Sequence, residues 1–230
     1  MFYFTEDPVK LIDSRQSYNY FKDGLLAIED GKVVEAGYYD DLISKYSEET
    51  PIDDYTGKLI MPGFIDTHLH YTQLEMMASY GEQLLTWLNN YTFPTEKKYK
   101  NRQYAKKMAE LFLQELLQNG TTTAVVFTSV FKDSVDVFFE ASSKLNMRMI
   151  AGKLMMDRNA PPYLLDTPDS GFKDSEELIK KWHRKQRQLY TVTPRFAPTS
   201  SEEQLRKASE LLRKYPDVGF IVIFQKISQK

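Results

Sequence analysis

Two of the three histidines in this 230-residue chain lie one residue apart, in the stretch PGFIDTHLHY from Pro62 to Tyr71. Side chains two positions apart on a strand point to the same face, so Asp66, His68 and His70 would project from one side. Two imidazoles and a carboxylate at one strand end are the beginning of a metal site. The alternative is a surface strand end with two solvated imidazoles, and the pattern alone leaves both readings open.

Composition restricts what such a site could hold. The chain has no cysteine, so nitrogen and oxygen ligands would hold any metal. Thirty basic residues against thirty-two acidic ones give a formal net charge of -2, which argues against nucleic acid and anionic membranes as partners and favours a small neutral ligand. The start MFYFTEDPVK lacks a signal-peptide pattern and no run could span a bilayer, so the sequence predicts a cytoplasmic protein.

The segments around the histidines show two kinds of pattern. Before them, GLLAIEDGKVVEAG has apolar, partly alternating segments on both sides of Asp30-Gly31, which predicts a β-hairpin. Residues 57–61 read as a short strand that leads through Pro62-Gly63 into a more buried one. After them, apolar residues at three- and four-residue spacing predict a helix from about Asn101 to a stop at Asn119-Gly120. The β-branched strand TTTAVVFTSV follows this helix directly.

Helices and strands alternate over the rest of the chain. Beyond TTTAVVFTSV, the pattern predicts helices at residues 133–146, 174–189 and 201–216 (the last opened by Thr199-Ser200) and strands at 147–157, 190–196 and 218–224. Residues 157–172 read as a long loop, either a functional lid or an ordinary surface excursion. This alternation indicates a parallel sheet, and closure into a barrel would place active groups at the carboxyl ends of the strands. A complete barrel usually needs about 250 residues, so the sequence predicts an unfinished one.

PGFIDTHLH, placed after a β-rich segment and before a series of strand–helix units, resembles the first barrel strand of the amidohydrolase superfamily. LLTWLNNYTFPTE, NGTTTAVVF and TVTPRF narrow the resemblance to the guanine deaminase family, from about Gly24 to Pro216. The implied α/β fold is the first half, strands 1 to about 5, of an amidohydrolase-type (β/α)8 barrel, preceded by part of a small β-sandwich domain. Residues 1–60 would belong to the sandwich and residues 61–230 to the incomplete barrel.

The resemblance implies zinc-dependent hydrolytic deamination of guanine to xanthine and ammonia, with one zinc ion. His68 and His70 match the first two metal ligands, because neutral imidazoles suit zinc and an ion with an open position activates water. Asp66 resembles the acidic residue before the histidines, which we expect to support a ligand rather than bind the metal. The intact family also allows a homo-oligomer.

Four further residues are expected to contact the purine. Gln73 matches the family's purine-contacting glutamine, since an amide offers both a donor and an acceptor. Arg195 and Phe196 match residues ending the fourth barrel strand, where a guanidinium suits the guanine carbonyl oxygen and a ring suits the base. Trp87 would form a wall of the pocket. Without the resemblance, Gln73 would be interpreted as a solvated loop amide, Arg195 and Phe196 as a structural strand end, and Trp87 as part of the apolar face of a short helix. His183 is interpreted as solvated on a helix face and is given no role.

The last residues depart from the family pattern. The remaining family ligands are histidines ending strands five and six and an aspartate ending strand eight, and a proton-shuttling glutamate follows the strand-five histidine. VGFIVIFQKISQK occupies the strand-five position without either residue, so we expect a truncated chain that is inactive alone. The alternatives are another purine or triazine aminohydrolase of the superfamily, and a non-catalytic remnant or half-barrel whose partner carries the missing half.

The genetic code suggests one origin for this departure. The third base of each codon from Gly219 onward can be read together with the first two bases of the next codon. This shifted frame permits Ile-His-Ser-His-Ile-Ser-Glu-Asn, which has the H-x-S-E-N form of the family motif. An insertion or deletion near the codons for Pro216 to Gly219 would then have removed the zinc-binding histidine and the glutamate together. Sequencing the DNA through and beyond the Lys230 codon tests this hypothesis.

Overall fold

The computed structural model describes residues 2–4, 18–81 and 83–223, which fall into two units, one up to Gly63 and one from Phe64. Within these residues, no helix combines the length and the apolar character needed to cross a membrane. The prediction for the end of the chain, from Phe224 to Lys230, lies outside the described residues.

The described residues of the first unit form two antiparallel strand pairs and a short α-helix. Its elements are β1 (Phe2–Phe4), β2 (Tyr18–Tyr20), β3 (Gly24–Glu29), β4 (Lys32–Tyr38) and α1 (Tyr39–Leu42). β1 pairs with β2, and β3 pairs with β4. The second pair is the predicted hairpin, because Asp30 and Gly31 adopt φ angles of 50° and 72°, as a tight two-residue turn between strands requires.

The prediction of a short strand at residues 57–61 is wrong, because the structure has no regular element there. Leu59 and Met61 are 60% and 40% exposed instead of packed against a neighbouring strand.

The second unit is a parallel sheet whose strands alternate with helices. Its strands are β5 (Phe64–His70), β6 (Thr121–Phe127), β7 (Arg148–Gly152), β8 (Leu154–Met155), β9 (Leu189–Pro194) and β10 (Gly219–Phe220). Its helices are α2 (Leu84–Trp87), α3 (Phe93–Lys97), α4 (Arg102–Gln118), α5 (Lys132–Lys144), α6 (Pro168–Trp182) and α7 (Glu202–Lys214).

The order of the strands identifies the kind of sheet. β5, β6, β7, β9 and β10 lie side by side in chain order, and the short β8 pairs with β9 beyond the end of β7. The order never reverses, as it would in a doubly wound fold, so it is that of the first five strands of a (β/α)8 barrel. The predicted fold is confirmed, although the strand expected at residues 147–157 is divided into β7 and β8.

The main core lies between the sheet and the outer helices. Leu113, Phe138, Met149, Leu178 and Tyr190 contribute to it from helices and strands, and each is at most 1% exposed. Full burial of one such side chain stabilises the fold by about 1.5–3 kcal/mol. A second apolar cluster lies under the carboxyl ends of the strands and includes Leu88, Phe93, Phe127, Leu154, Met156 and Leu164. The loops that follow the strands therefore rest on packed side chains.

Local signals set the helix and strand ends. α4 begins as predicted, because the Asn101 side chain accepts hydrogen bonds from the N–H groups of Gln103 and Tyr104. It stops before Gly120, whose φ of 81° favours glycine. At the end of β7, a Cβ on Gly152 would lie 1.8 Å from the carbonyl oxygen of Thr191, so only glycine lets β7 and β9 approach this closely.

The predicted bounds of α6 and the cap of α7 are wrong. α6 begins at Pro168, inside the segment read as a loop, because Thr167 and Ser170 form a reciprocal capping box and Pro suits the first helical position. α6 ends at Trp182, and the chain then turns through Arg184 and Gln186, which have positive φ. Ser201, rather than Thr199-Ser200, caps α7 by accepting a hydrogen bond from the Gln204 N–H.

His183 is packed rather than solvated, so the sequence interpretation of this residue is also wrong. Its side chain is 8% exposed, its Nδ1 accepts a hydrogen bond from the Tyr190 N–H at 3.1 Å, and its Nε2 lies 3.1 Å from Asp217. His183 therefore ties the end of α6 to the start of β9.

Candidate functional site

A cleft of about 160 Å³ opens at the carboxyl ends of β5 and β9. The six residues predicted to contact metal or purine all line it: His68, His70, Gln73, Trp87, Arg195 and Phe196. Leu84, Leu88 and Ile223, to which the sequence assigned no site role, complete the lining. Residues far apart in the chain thus meet because parallel strands end on the same side of a sheet.

β5 presents the two imidazoles to the cleft at a separation that suits one metal ion. The Nε2 atoms of His68 and His70 are 3.2 Å apart. Two nitrogen ligands of a tetrahedral zinc ion, each about 2.0–2.1 Å from it, would lie about 3.3 Å apart. The pair therefore fits two adjacent ligand positions, but within the described residues no group of three or more His, Cys, Asp or Glu could hold a metal.

Phe127, the last residue of β6, supports both imidazoles. It is the parallel-strand neighbour of His70, and the two rings stack with centroids 4.7 Å apart and planes at 12°. The His68 ring lies 5.1 Å from the same ring at a tilt. Sequence reasoning missed Phe127, although its position at the end of the strand after the histidines was an available signal.

Burial keeps His70 in the form that binds metals. Desolvation, together with the charges of Arg195 and His68, lowers the pKa of His70 from 6.5 to about 3. The imidazole is thus neutral near pH 7, as a metal ligand must be. Gln73 places its side-chain nitrogen 3.4 Å from His70 Nδ1, so it contacts the imidazole on the side away from His68.

Asp66 does not line the cleft. Its Oδ1 accepts a hydrogen bond from the backbone N–H of His68 at 2.9 Å. The carboxylate thus fixes the main chain of β5 at the first of the two predicted ligands.

Arg195 follows β9 and is 2% exposed. Its Nη1 donates to Oε2 of Glu96 at 2.7 Å, and its Cζ lies 5.5 Å from the ring centroid of Phe93. The backbone of Arg195 is also fixed, because its N–H donates to the Met155 carbonyl and its carbonyl accepts from the Ile223 N–H. Glu96 lies within LLTWLNNYTFPTE, but no sequence signal links it to a residue 99 positions away.

One helical run forms the wall opposite the strands. α2 continues through a π-helical segment, Leu88–Thr92, into α3, and the run carries Leu84, Trp87 and Leu88 on the cleft. The Trp87 Nε1–H donates to Ser79 Oγ at 3.2 Å, which fixes the indole. Trp87 therefore lines the cleft with its polar edge already satisfied.

The start of the segment after β8 is held in place rather than free. The Asp157 N–H donates to the Thr199 carbonyl at 3.0 Å, and Arg158 donates to the Ala197 carbonyl at 3.0 Å. These bonds join it to the residues that follow Phe196. They favour a fixed support for the end of β9 over a lid.

Comparison with known proteins identifies relatives of this chain. The model of the amidohydrolase family matches residues 59–222. A guanine deaminase of Escherichia coli K12 is 52% identical over 215 residues, which are 92% of this chain and 49% of that protein. The solved structure of E. coli guanine deaminase has a TM-score of 0.93 at 49% identity, over 96% of this chain and 52% of that one.

A second solved structure, guanine deaminase from C. acetobutylicum with bound guanine in the active site, has a TM-score of 0.85 at 32% identity, over 96% of this chain and 52% of that one. The chain spans about half the length of the curated relatives it matches. The resemblance read from the motifs is confirmed, because this homology to guanine deaminases covers nearly the whole chain. The chain belongs to the amidohydrolase family.

Proposed function

We propose that this chain supplies the guanine-binding residues and the first two metal ligands of a guanine deaminase site, whose reaction converts guanine to xanthine and ammonia. The observation that carries this proposal is the cleft on which all six predicted contact residues lie, with the two Nε2 atoms 3.2 Å apart. The homology to guanine deaminases supports the choice of guanine.

We assign His68 and His70 to one zinc ion. Their neutral imidazoles are the donors that zinc accepts, and a bound zinc ion would supply a Lewis acid that activates water. Asp66 fixes the main chain at His68, and Phe127 stacks on the His70 ring and contacts the His68 ring.

The remaining cleft residues suit a flat purine with polar edges. The Arg195 guanidinium can donate to a carbonyl oxygen, and the Gln73 amide can both donate and accept. Trp87 and Phe196 offer contacts to the base. We assign these four side chains to the binding of guanine.

We also assign residues 1–60 to part of a small β-sandwich domain and residues 61–230 to an incomplete (β/α)8 barrel.

Guanine binding can be measured with the chain's own tryptophans. There are two, Trp87 on the cleft and Trp182 in the core. We expect guanine to change the fluorescence of Trp182→Phe, in which only Trp87 emits, and to leave Trp87→Phe unchanged. Arg195→Met should weaken the response, whereas Lys106→Met, on the exposed side of α4, should not. Equal responses of the two single-tryptophan variants, or no response in either, would contradict guanine binding at this cleft.

A further inference from the structure

Glu96 and Arg195 form an ion pair shielded from water at the edge of the cleft. The two residues are 1% and 2% exposed, and one N–H···O bond of 2.7 Å joins them. In the described part of the chain, the other oxygen of Glu96, Oε1, has no hydrogen-bond partner. A buried carboxylate is costly unless it is paired, so Arg195 is the group that compensates the charge of Glu96.

The π-helical segment explains how Glu96 reaches Arg195. In an unbroken α-helix, Glu96 would lie about 120° around the axis from Leu84, on a different face. One extra residue in the turn, as a π-helical segment supplies, reduces this angle to about 20°. The segment Leu88–Thr92 therefore puts Glu96 on the same side as Leu84, Trp87 and Leu88, which line the cleft.

The pair limits what a ligand can place against Arg195. A guanidinium has five N–H donors and no acceptor, and Glu96 takes one of them. Since the guanidinium is fixed by Glu96 and lies over Phe93, it cannot rotate freely to suit a different ligand. A carbonyl oxygen of a ligand could accept a hydrogen bond from one of the remaining N–H groups of Arg195. An amino group would instead face a donor that cannot turn away from it.

We infer that Glu96 is a positioning residue that holds the Arg195 guanidinium so that the cleft prefers a purine with a carbonyl oxygen over one with an amino group there. The inference rests on the proposed function, because it assumes that a purine occupies the cleft. Glu96 does not line the cleft itself and acts through Arg195.

The chain offers a matched control for the loss of a buried ion pair. Lys153 and Asp166, whose side chains are 1% and 10% exposed, form such a pair away from the cleft lining. Both E96Q and D166N leave a buried cation without its anion, and both should lower the melting temperature. Only E96Q should alter ligand preference.

The first measurement compares the affinity for guanine with the affinity for 2,6-diaminopurine, which has an amino group in place of the carbonyl oxygen. The ratio of the two affinities is measured in the Trp182→Phe chain and in the same chain with E96Q, D166N or E96D. We expect E96Q to reduce the preference for guanine by about tenfold. D166N should keep the native ratio, and E96D, which retains the charge, should recover most of it. A native ratio in E96Q, or the same loss in D166N, overturns the inference.

The second measurement needs no ligand. In NMR spectra of the arginine side chains, a guanidinium held by a buried carboxylate gives slowly exchanging signals. We expect those of Arg195 to broaden or disappear in E96Q and to persist in D166N. If the native chain binds neither purine, the proposed function fails. The inference fails separately if the Arg195 signals of E96Q are the same as those of the native chain.

Discussion

β5 and β9 deliver side chains to the same cleft, but the chain supports the two strands differently. β9 lies between β7 and β10, and Tyr190, Val192 and Thr193 are at most 1% exposed. In the described residues β5 has a neighbour on one side only, its pairing with β6 shifts register twice, and Phe64 and Ile65 are 52% and 69% exposed.

This difference separates the two parts of the candidate site. The guanidinium that follows β9 is held by a buried carboxylate, and the backbone of Arg195 is hydrogen-bonded on both sides, so the part assigned to guanine is preorganised. The imidazoles of β5 are held by the Phe127 ring, by a 3.4 Å contact from Gln73 to His70 and by one backbone hydrogen bond at His68, on a strand with one neighbour in the described residues. We therefore expect this chain to retain binding at the part of the site assigned to guanine more fully than at the part assigned to the metal.

The largest expected effect concerns the metal part. Two imidazoles leave a four-coordinate zinc site incomplete, so we expect weak zinc binding and no turnover of guanine. Zinc retained after dialysis should fall further in His68→Ala and His70→Ala. Xanthine formed by the purified, metal-loaded chain above a control without protein would contradict this prediction.

Core substitutions should separate the central strands from β5 by stability. Met149 in β7 is fully buried, and Met149→Ala should cost about 2–5 kcal/mol because it leaves a cavity. Ile65→Ala removes an exposed side chain and should change the free energy of unfolding by less than about 0.5 kcal/mol. Urea unfolding measures both, and similar losses in the two variants would show that β5 is packed after all.

The open side of β5 should promote self-association. An unpaired strand edge with exposed apolar side chains can pair with another copy, and a lysine there discourages such pairing. We expect sedimentation to show association of the native chain and a shift toward monomer in Ile65→Lys. Leu205→Lys replaces an exposed leucine on α7 and should have no such effect. Sedimentation of the native chain only as a monomer would contradict the prediction.

The smallest effect concerns the helices outside β9. Hydrogen bonds from Lys214 and Lys180 lower the pKa of Glu176 from its ordinary value of 4.5 to about 2. Because the folded pKa is the lower one, this contribution to stability is present above pH 4.5 and is lost as the pH falls toward 2. Glu176→Gln should therefore lower the melting temperature slightly at neutral pH but not near pH 2, and Glu203→Gln serves as the exposed control. An unchanged difference across this range would exclude the assigned cause.

Local patterns predicted much of the fold. The Asp30-Gly31 hairpin, α4 between Asn101 and Gly120, and the order of strands and helices all follow from turn residues, caps and apolar spacing. The start of α6 was missed because the Pro- and Asp-rich composition of residues 157–172 obscured a capping signal at Thr167 and Ser170.

Contacts between distant residues limited the prediction of the site. Matches to the family motifs predicted site roles for His68, His70 and Arg195, and the structure brings these three residues to one cleft because each lies at the carboxyl end of a strand. Glu96 could not be assigned, since its partner is distant in the chain and a π-helical segment changes which face it occupies. His183 was misjudged for the same reason, because both of its ring contacts come from other elements.

The π-helical segment Leu88–Thr92 also separates two ways in which ligand preference could evolve. Substitutions on the cleft change the surface that a ligand meets. Deleting one residue within the segment would instead turn Phe93 and Glu96 by about 100° while leaving Leu84 and Trp87 in place. Among related sequences, a length change in this run should therefore accompany a change in the ligand group that faces the arginine, even where every cleft residue is identical.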